Sequence, residues 1–189
     1  MQLVAAEPCR PFAPDRTGIS LGEAAGFALL QREEGALPLQ VLGAGESCDA
    51  YHMSSAHPEG LGARLSMERA LNAAQLSMGD IDYINLHGTG TRANDATEGA
   101  VCGDLIQKGT LASATKGWTG HTLGAAGIVE SVLCLDALQT GWVPGTRNTQ
   151  ESEAPFELLL ESHEAAPRTA LTNSFGFGGN NCSVVFARS

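Results

Sequence analysis

Residues 83–98 read YINLHGTGTRANDATE: a strand-like run, Tyr83 to Leu86, ends in His87, and a glycine-rich turn leads into an acidic helix start. Two chemistries compete for this stretch. GTGTRA fits the relaxed glycine fingerprint of a dinucleotide-binding turn between strand and helix. Alternatively, His87 is a catalytic imidazole held at a strand end. The first reading needs a ribose-binding acid about twenty residues on; Asp104 comes too early, inside the expected helix, and Asp95 and Glu98 would oppose a pyrophosphate. The second gains from a repeat of the same grammar in TKGWTGHTLGAAG, residues 115–127, where a strand ends at Lys116 and His121 follows Gly120. Strand ends are where α/β proteins assemble their sites. A third stretch, TNSFGFGGNN at 172–181, combines glycines that let backbone N–H groups approach a ligand with Phe175 and Phe177, either loop anchors or an aromatic gate. His52, His57 and His163 lie in polar loops and read as solvated.

The elements that must position these groups alternate. Residues 19–32 and 39–45 read as strand-rich and glycine-punctuated, 62–75 as a helix, 81–86 as a short apolar strand. Asn94 or Asp95 can cap a helix to about residue 107, with Glu98 in its first turns. A strand at 111–115 ends at Lys116, and 123–138 is apolar nearly all round, as in a helix buried on several sides. Three strands, near 156–161, 169–173 and 182–187, close the chain. The pattern predicts an α/β fold with helices packed on a mixed sheet.

Composition narrows the function classes. The 189 residues are 43% apolar, enough for a real core, and carry a net charge of −10. Such a chain repels phosphate backbones and anionic membranes, which argues against nucleic acid as a partner and leaves an acidic protein partner only a local basic patch. Cys9, Cys48, Cys102, Cys134 and Cys182 form no CxxC pair, so a disulfide framework or zinc site is not expected and a reducing cytoplasm fits. The N-terminus lacks signal-peptide character, and the run at 123–138, containing Glu130 and Asp136, reads as too short and too charged for membrane insertion.

Taken together, HGTGT (87–91), Lys116 with GHT (120–122) and GAAG (124–127), and NSFGFGG (173–179) resemble the β-ketoacyl-[acyl-carrier-protein] synthases, the condensing enzymes of fatty-acid and polyketide synthesis. RPFAPDRTGISLGEAAG (10–26) and CDAYHMSS (48–55) resemble further family segments in family order. Ala13 and Thr17 depart from acids usual there. The resemblance implies the C-terminal half of a thiolase-like fold, part of an αβαβα layered architecture, with residues 1–35 matching the last strands of the other half.

The implied reaction is a decarboxylative Claisen condensation. By matching position, His87 and His121 are N–H donors to the oxygen that becomes negative as malonyl loses CO2. Lys116 sets the local charge, Glu98 and Glu130 are structural, and Phe177 is the gate beside Phe175. Ser54, Thr89 and Thr91 hold a phosphopantetheine arm that arrives on acyl carrier protein, so no resident cofactor is expected. Some members hold a structural monovalent cation at positions matching Asn85, Glu130, Thr172 and Asn173. None of the five cysteines has the setting of the family's nucleophile. The expected partner is therefore an N-terminal half carrying that cysteine, in the same parent chain or a separate one, with this chain inactive alone and the full enzyme dimeric. The competing expectation is a non-catalytic subunit of the chain-length-factor kind.

Overall fold

The computed structural model describes residues 3–32 and 38–189. Strands β1 (Leu39–Cys48), β2 (Tyr83–Leu86), β3 (Leu111–Ala114), β6 (Thr169–Phe175) and β7 (Asn180–Arg188) form one mixed sheet. The spatial order is β1-β7-β6-β2-β3. β2 runs parallel to both β3 and β6, whereas β7 is antiparallel to β6 and β1. Parallel neighbours need a crossover, and helix α2 (Arg92–Leu105) supplies it between β2 and β3. A small antiparallel pair, β4 (Trp142–Val143) and β5 (His163–Glu164), lies outside the main sheet.

Strand alternation sorts the core into two layers. Ile84, Leu86, Ala112, Ala114 and Leu171 face α1 (Leu61–Ala74) and α2, where Met67, Ala70, Leu71, Val101 and Cys102 cover them. Tyr83, Ala170 and Phe186 face α4 (Ala126–Thr140) through Cys134, Ala137 and Leu138. Helix α1 comes close to β1 because Gly43 and Gly45 carry no side chain; a Cβ on Gly45 would stand 2.1 Å from the Ser66 carbonyl. Helix α4 follows a 3-10 turn at Leu123–Ala125 and stops at Gly141, whose φ of 81° suits a left-handed cap.

Several expectations change. Residues 19–32 are not strands: Ile19 and Leu21 make isolated bridges to Val4 and His121, and 22–32 carry no regular pairing among the described residues. Residues 156–161 are irregular too, although the Leu159 N–H donates to the Ala112 carbonyl. The strand after residue 110 stops at Ala114, and Lys116 opens the one-turn helix α3 (Lys116–Thr119). The cap of α2 is Thr91, whose hydroxyl accepts the Asn94 N–H. Leu123–Thr140, with a mean hydropathy of 1.3, is long and apolar enough by composition to cross a membrane. It is not too short to span, and it is not buried on several sides either: 28% of it is buried, and one face packs on β6 and β7, tied there by the buried ion pair of Glu130 with Lys116.

Replacing Gly45 by Val forces α1 off β1. We expect a loss of about 1–3 kcal/mol, typical of an overpacked core site, read as a drop in the denaturant midpoint with the unfolding slope unchanged.

Candidate functional site

β2 delivers His87 at its C-terminal end, where the ring is buried. Lys116, at the start of α3, is 1% exposed and reaches back across the sheet end. Its ammonium donates to His87 Nδ1 at 3.2 Å, to the His87 carbonyl and to Glu130 on α4. An ammonium can only donate, so His87 Nδ1 must be an acceptor and its proton sits on Nε2. His121 reaches the same tautomer by another route: its Nδ1 accepts the Leu123 N–H at 3.1 Å. Both rings therefore present an Nε2–H donor. They stand 5.4 Å apart, nearly perpendicular.

Both rings are also neutral at neutral pH. Burial, reinforced by Lys116 and His121, holds His87 well below the usual histidine range. Burial and then Lys116 bring His121 down to about 4. The main chain of His121 is fixed by residues 20–22: its N–H donates to the Ser20 carbonyl, and the Gly22 N–H donates to its carbonyl. Gly22 has to be glycine, since a Cβ there would lie 2.1 Å from the Thr119 carbonyl.

The glycine turn after His87 is closed by the protein's own carboxylates. Glu98 accepts the N–H groups of His87 (2.7 Å) and Gly88 (2.8 Å). Asp95 accepts those of Thr89 (3.0 Å) and Gly90 (3.2 Å). The four donors that a phosphate would need are thus already committed, which removes the dinucleotide reading. Burial pushes Glu98 up to about 7, against the pull of the Gly88 and His87 N–H groups. Burial raises Asp95 as well. Buried Thr89 and half-buried Thr91 share a hydroxyl–hydroxyl bond of 2.8 Å in the turn. Cys9 lies alongside, but its thiol donates to the Thr89 carbonyl and burial raises it to about 11, so it is a protonated packing group.

Phe175 packs on the His87 ring at 5.7 Å, while Phe177, in the 3-10 turn Phe177–Gly179, is 64% exposed. That turn is tied to the loop carrying Ser54: the Gly178 N–H donates to the Met53 carbonyl and the Asp49 N–H to the Gly179 carbonyl. Ser54 itself bonds locally, to His52 Nδ1. His163 is exposed on β5, as a solvated residue should be.

The four expected cation positions do not share one face. Asn85 and Thr172 are paired across β2 and β6 and point toward α4, where Glu130 lies. Asn85 Oδ1, Glu130 Oε2 and Thr172 Oγ1 are buried without hydrogen-bond partners among the described residues, although Thr172 also faces the Cys134 thiol. Three orphaned oxygens on one side of the sheet suit a monovalent cation. Asn173, the next residue along β6, points the other way; its amide donates to Glu98 and its carbonyl accepts from Ser183. Its side chain is no part of that cluster.

Sequence reasoning missed three supports. Asp95, expected only as a possible cap of the helix, is buried under the glycine turn; its signal was an acid one helical turn before Glu98. Arg16 is buried against Asp95 and Glu153. Phe12 is held at φ 61° with its N–H on Asp95. Large apolar side chains stand open near α4: Leu123 and Val132 are exposed, and so are Leu29, Leu30 and Phe27 (96%) in the segment whose Gly26 lies against Ile128 of α4.

Residues 39–150 match the beta-ketoacyl synthase C-terminal domain. The chain is 40% identical over 190 residues to the chloroplastic 3-oxoacyl-[acyl-carrier-protein] synthase II of Arabidopsis thaliana, covering 94% of this chain and 35% of that protein. Against 3-oxoacyl-[acyl-carrier-protein] synthase 2 of Vibrio cholerae it is 39% identical, covering 95% of this chain and 47% of the relative. It therefore spans less than half the length of these relatives. Among solved structures, a chain of a ketosynthase–chain length factor complex from Xenorhabdus doucetiae superposes with a TM-score of 0.91 at 42% identity, over 100% of this chain and 48% of that one. The thiolase-like α/β architecture expected from the motifs is the one found, and the chain belongs to the beta-ketoacyl synthase family, whose C-terminal domain it contains.

Proposed function

We propose that this chain supplies the decarboxylating part of a 3-oxoacyl-[acyl-carrier-protein] synthase site. The observation that carries the reading is the pair of neutral imidazoles, each engaged at Nδ1 so that Nε2 carries the proton. When a malonyl thioester loses CO2, the bond to the carboxylate carbon breaks and its electron pair spreads from the α-carbon onto the thioester oxygen. Preorganised N–H donors in a water-poor site stabilise that oxygen. His87 and His121 are the donors, and Lys116 fixes the tautomer of His87. The α-carbon then attacks an acyl thioester, and the thiolate leaves. Thr89, Thr91 and Ser54 bind the phosphopantetheine arm that carries the malonyl group in on acyl carrier protein, with Phe177 as the gate.

The acyl thioester belongs to a cysteine of the complementary half of the fold. Cys9, Cys102 and Cys134 are buried thiols raised by burial, unsuited to be that nucleophile. The exposed apolar side chains near α4 are what the complementary half covers, and condensation requires both halves. A non-catalytic, chain-length-factor-like role is a second reading, favoured by the match to a complex containing such a subunit. The presence of Lys116 bonded to His87, with the His121 ring 5.4 Å from the His87 ring, counts against it. The cluster of Asn85, Glu130 and Thr172 would hold a potassium- or sodium-sized ion, whose chemistry is to balance buried oxygen charge beneath Lys116.

In the assembled enzyme, His121→Ala is expected to lower malonyl decarboxylation by roughly 10²–10³-fold, the usual cost of one oxyanion donor. Unchanged turnover would favour the non-catalytic subunit. A histidine with a depressed folded value loses stability as pH falls, because the unfolded chain binds protons that the fold refuses. For His121 that window runs from 6.5 down to about 4. Glu98 acts in the opposite sense between about 7 and 4.5, where the fold binds the extra proton. Ring-nitrogen NMR should find His121 neutral with the proton on Nε2 from pH 8 to about 5; a midpoint near 6.5 would sink the assignment. For the cation, potassium chloride should raise the melting temperature more than choline chloride does, and Thr172→Val should abolish the difference. Equal melting in the two salts means that water fills the cluster.

A further inference from the structure

Asp95 and Glu98 stand one turn apart on α2 and face the same glycine turn, yet they hold different parts of it. Glu98 holds only the first half, His87 and Gly88. Asp95 Oδ1 holds the second, Thr89 and Gly90, while its Oδ2 accepts the Phe12 N–H at 2.8 Å and faces Arg16 Nε at 3.5 Å. The two hydroxyls in the turn depend on that second half: Thr89 Oγ1 bonds Thr91 Oγ1 and accepts the Thr91 N–H at 3.2 Å. The imidazole of His87 depends on the first half and on Lys116.

We propose that Asp95 is a positioning residue for binding of the substrate's carrier arm, and that the two carboxylates divide the work, Asp95 setting the Thr89–Thr91 hydroxyls and Glu98 setting His87. The inference rests on the ketosynthase reading above. Only a carboxylate meets the requirement at residue 95. Phe12, Thr89, Gly90 and Asn94 all donate to it, and Arg16 adds a charge alongside. An amide of the same shape has one oxygen and turns two further hydrogens toward donors. Asp95→Asn must therefore release either the Phe12 side or the turn. Neither Glu98 nor Lys116 bonds Thr89 or Gly90 in its place.

The test is steady-state kinetics of the assembled enzyme with two malonyl donors: malonyl on carrier protein, and S-ethyl malonyl thioester, which has the reacting carbons but no arm. Asp95→Asn should raise KM for the carrier substrate about tenfold, keep kcat within about threefold, and leave kcat/KM for the ethyl thioester within about threefold, the signature of lost binding at a remote part of the substrate. Glu98→Gln should instead lower kcat with both donors. Because Asp95→Asn leaves the Arg16 charge with one partner fewer, the double variant D95N/R16Q, neutral at both positions, is measured beside it and should show the same split. If D95N, or the double variant where D95N does not fold, lowers kcat for both donors alike, Asp95 is a general structural support and the inference falls. An unaltered enzyme that decarboxylates neither donor overturns the ketosynthase reading itself, and the inference with it.

Discussion

A buried ammonium must be surrounded by acceptors, and Lys116 is the charge on which the site depends. Removing it from water costs several kcal/mol unless its hydrogens are taken up. Three acceptors from two elements do so: the Glu130 carboxylate of α4, and the carbonyl and Nδ1 of His87 at the end of β2. That requirement has consequences in both directions. It holds α4 against the ends of β2 and β3, and it decides which nitrogen of His87 carries the proton. A structural ion pair thus does chemical work without touching substrate.

The glycine turn illustrates how a local motif can suggest the wrong chemistry. Free backbone N–H groups beside a helix N-terminus attract anions. Here internal carboxyl oxygens take those N–H groups up, from Asp95 and Glu98 of the helix that follows. The turn is therefore a closed, self-neutralised unit that presents hydroxyls and an imidazole in place of a phosphate cradle. The same two acids that weakened the nucleotide reading at the level of sequence turn out to be what fills the turn.

Most of the fold was legible because apolar periodicity tracks burial. The helices at 61–74, 92–105 and 126–140 and the strands from 39, 83, 111, 169 and 180 lie close to where their patterns put them. The misses share a cause. Residues 22–32 have strand-like composition, but a strand needs a hydrogen-bonded neighbour along its length, and among the described residues the pairing with His121 ends at the Gly22 N–H. Residues 156–161 are apolar because they cover the β3 edge, which needs a single backbone contact and no ladder. The positions of His87, Lys116 and His121 could be anticipated from type and motif. Their tautomers could not, since those depend on which donor reaches each Nδ1 in three dimensions.

Thr172 and Asn173 are consecutive residues of β6 that serve opposite sides of the sheet, one over the orphaned oxygens near Glu130, the other bonded to Glu98. A slip of β6 by one residue against β2 would exchange the two faces, putting an amide beneath the Lys116–Glu130 pair and a hydroxyl beside Glu98. Both networks would then fail together. β6 thus works as a register key: the polar chemistry on its two sides is mutually exclusive with any misaligned sheet, so proofreading of strand alignment is built into the same residues that support the site.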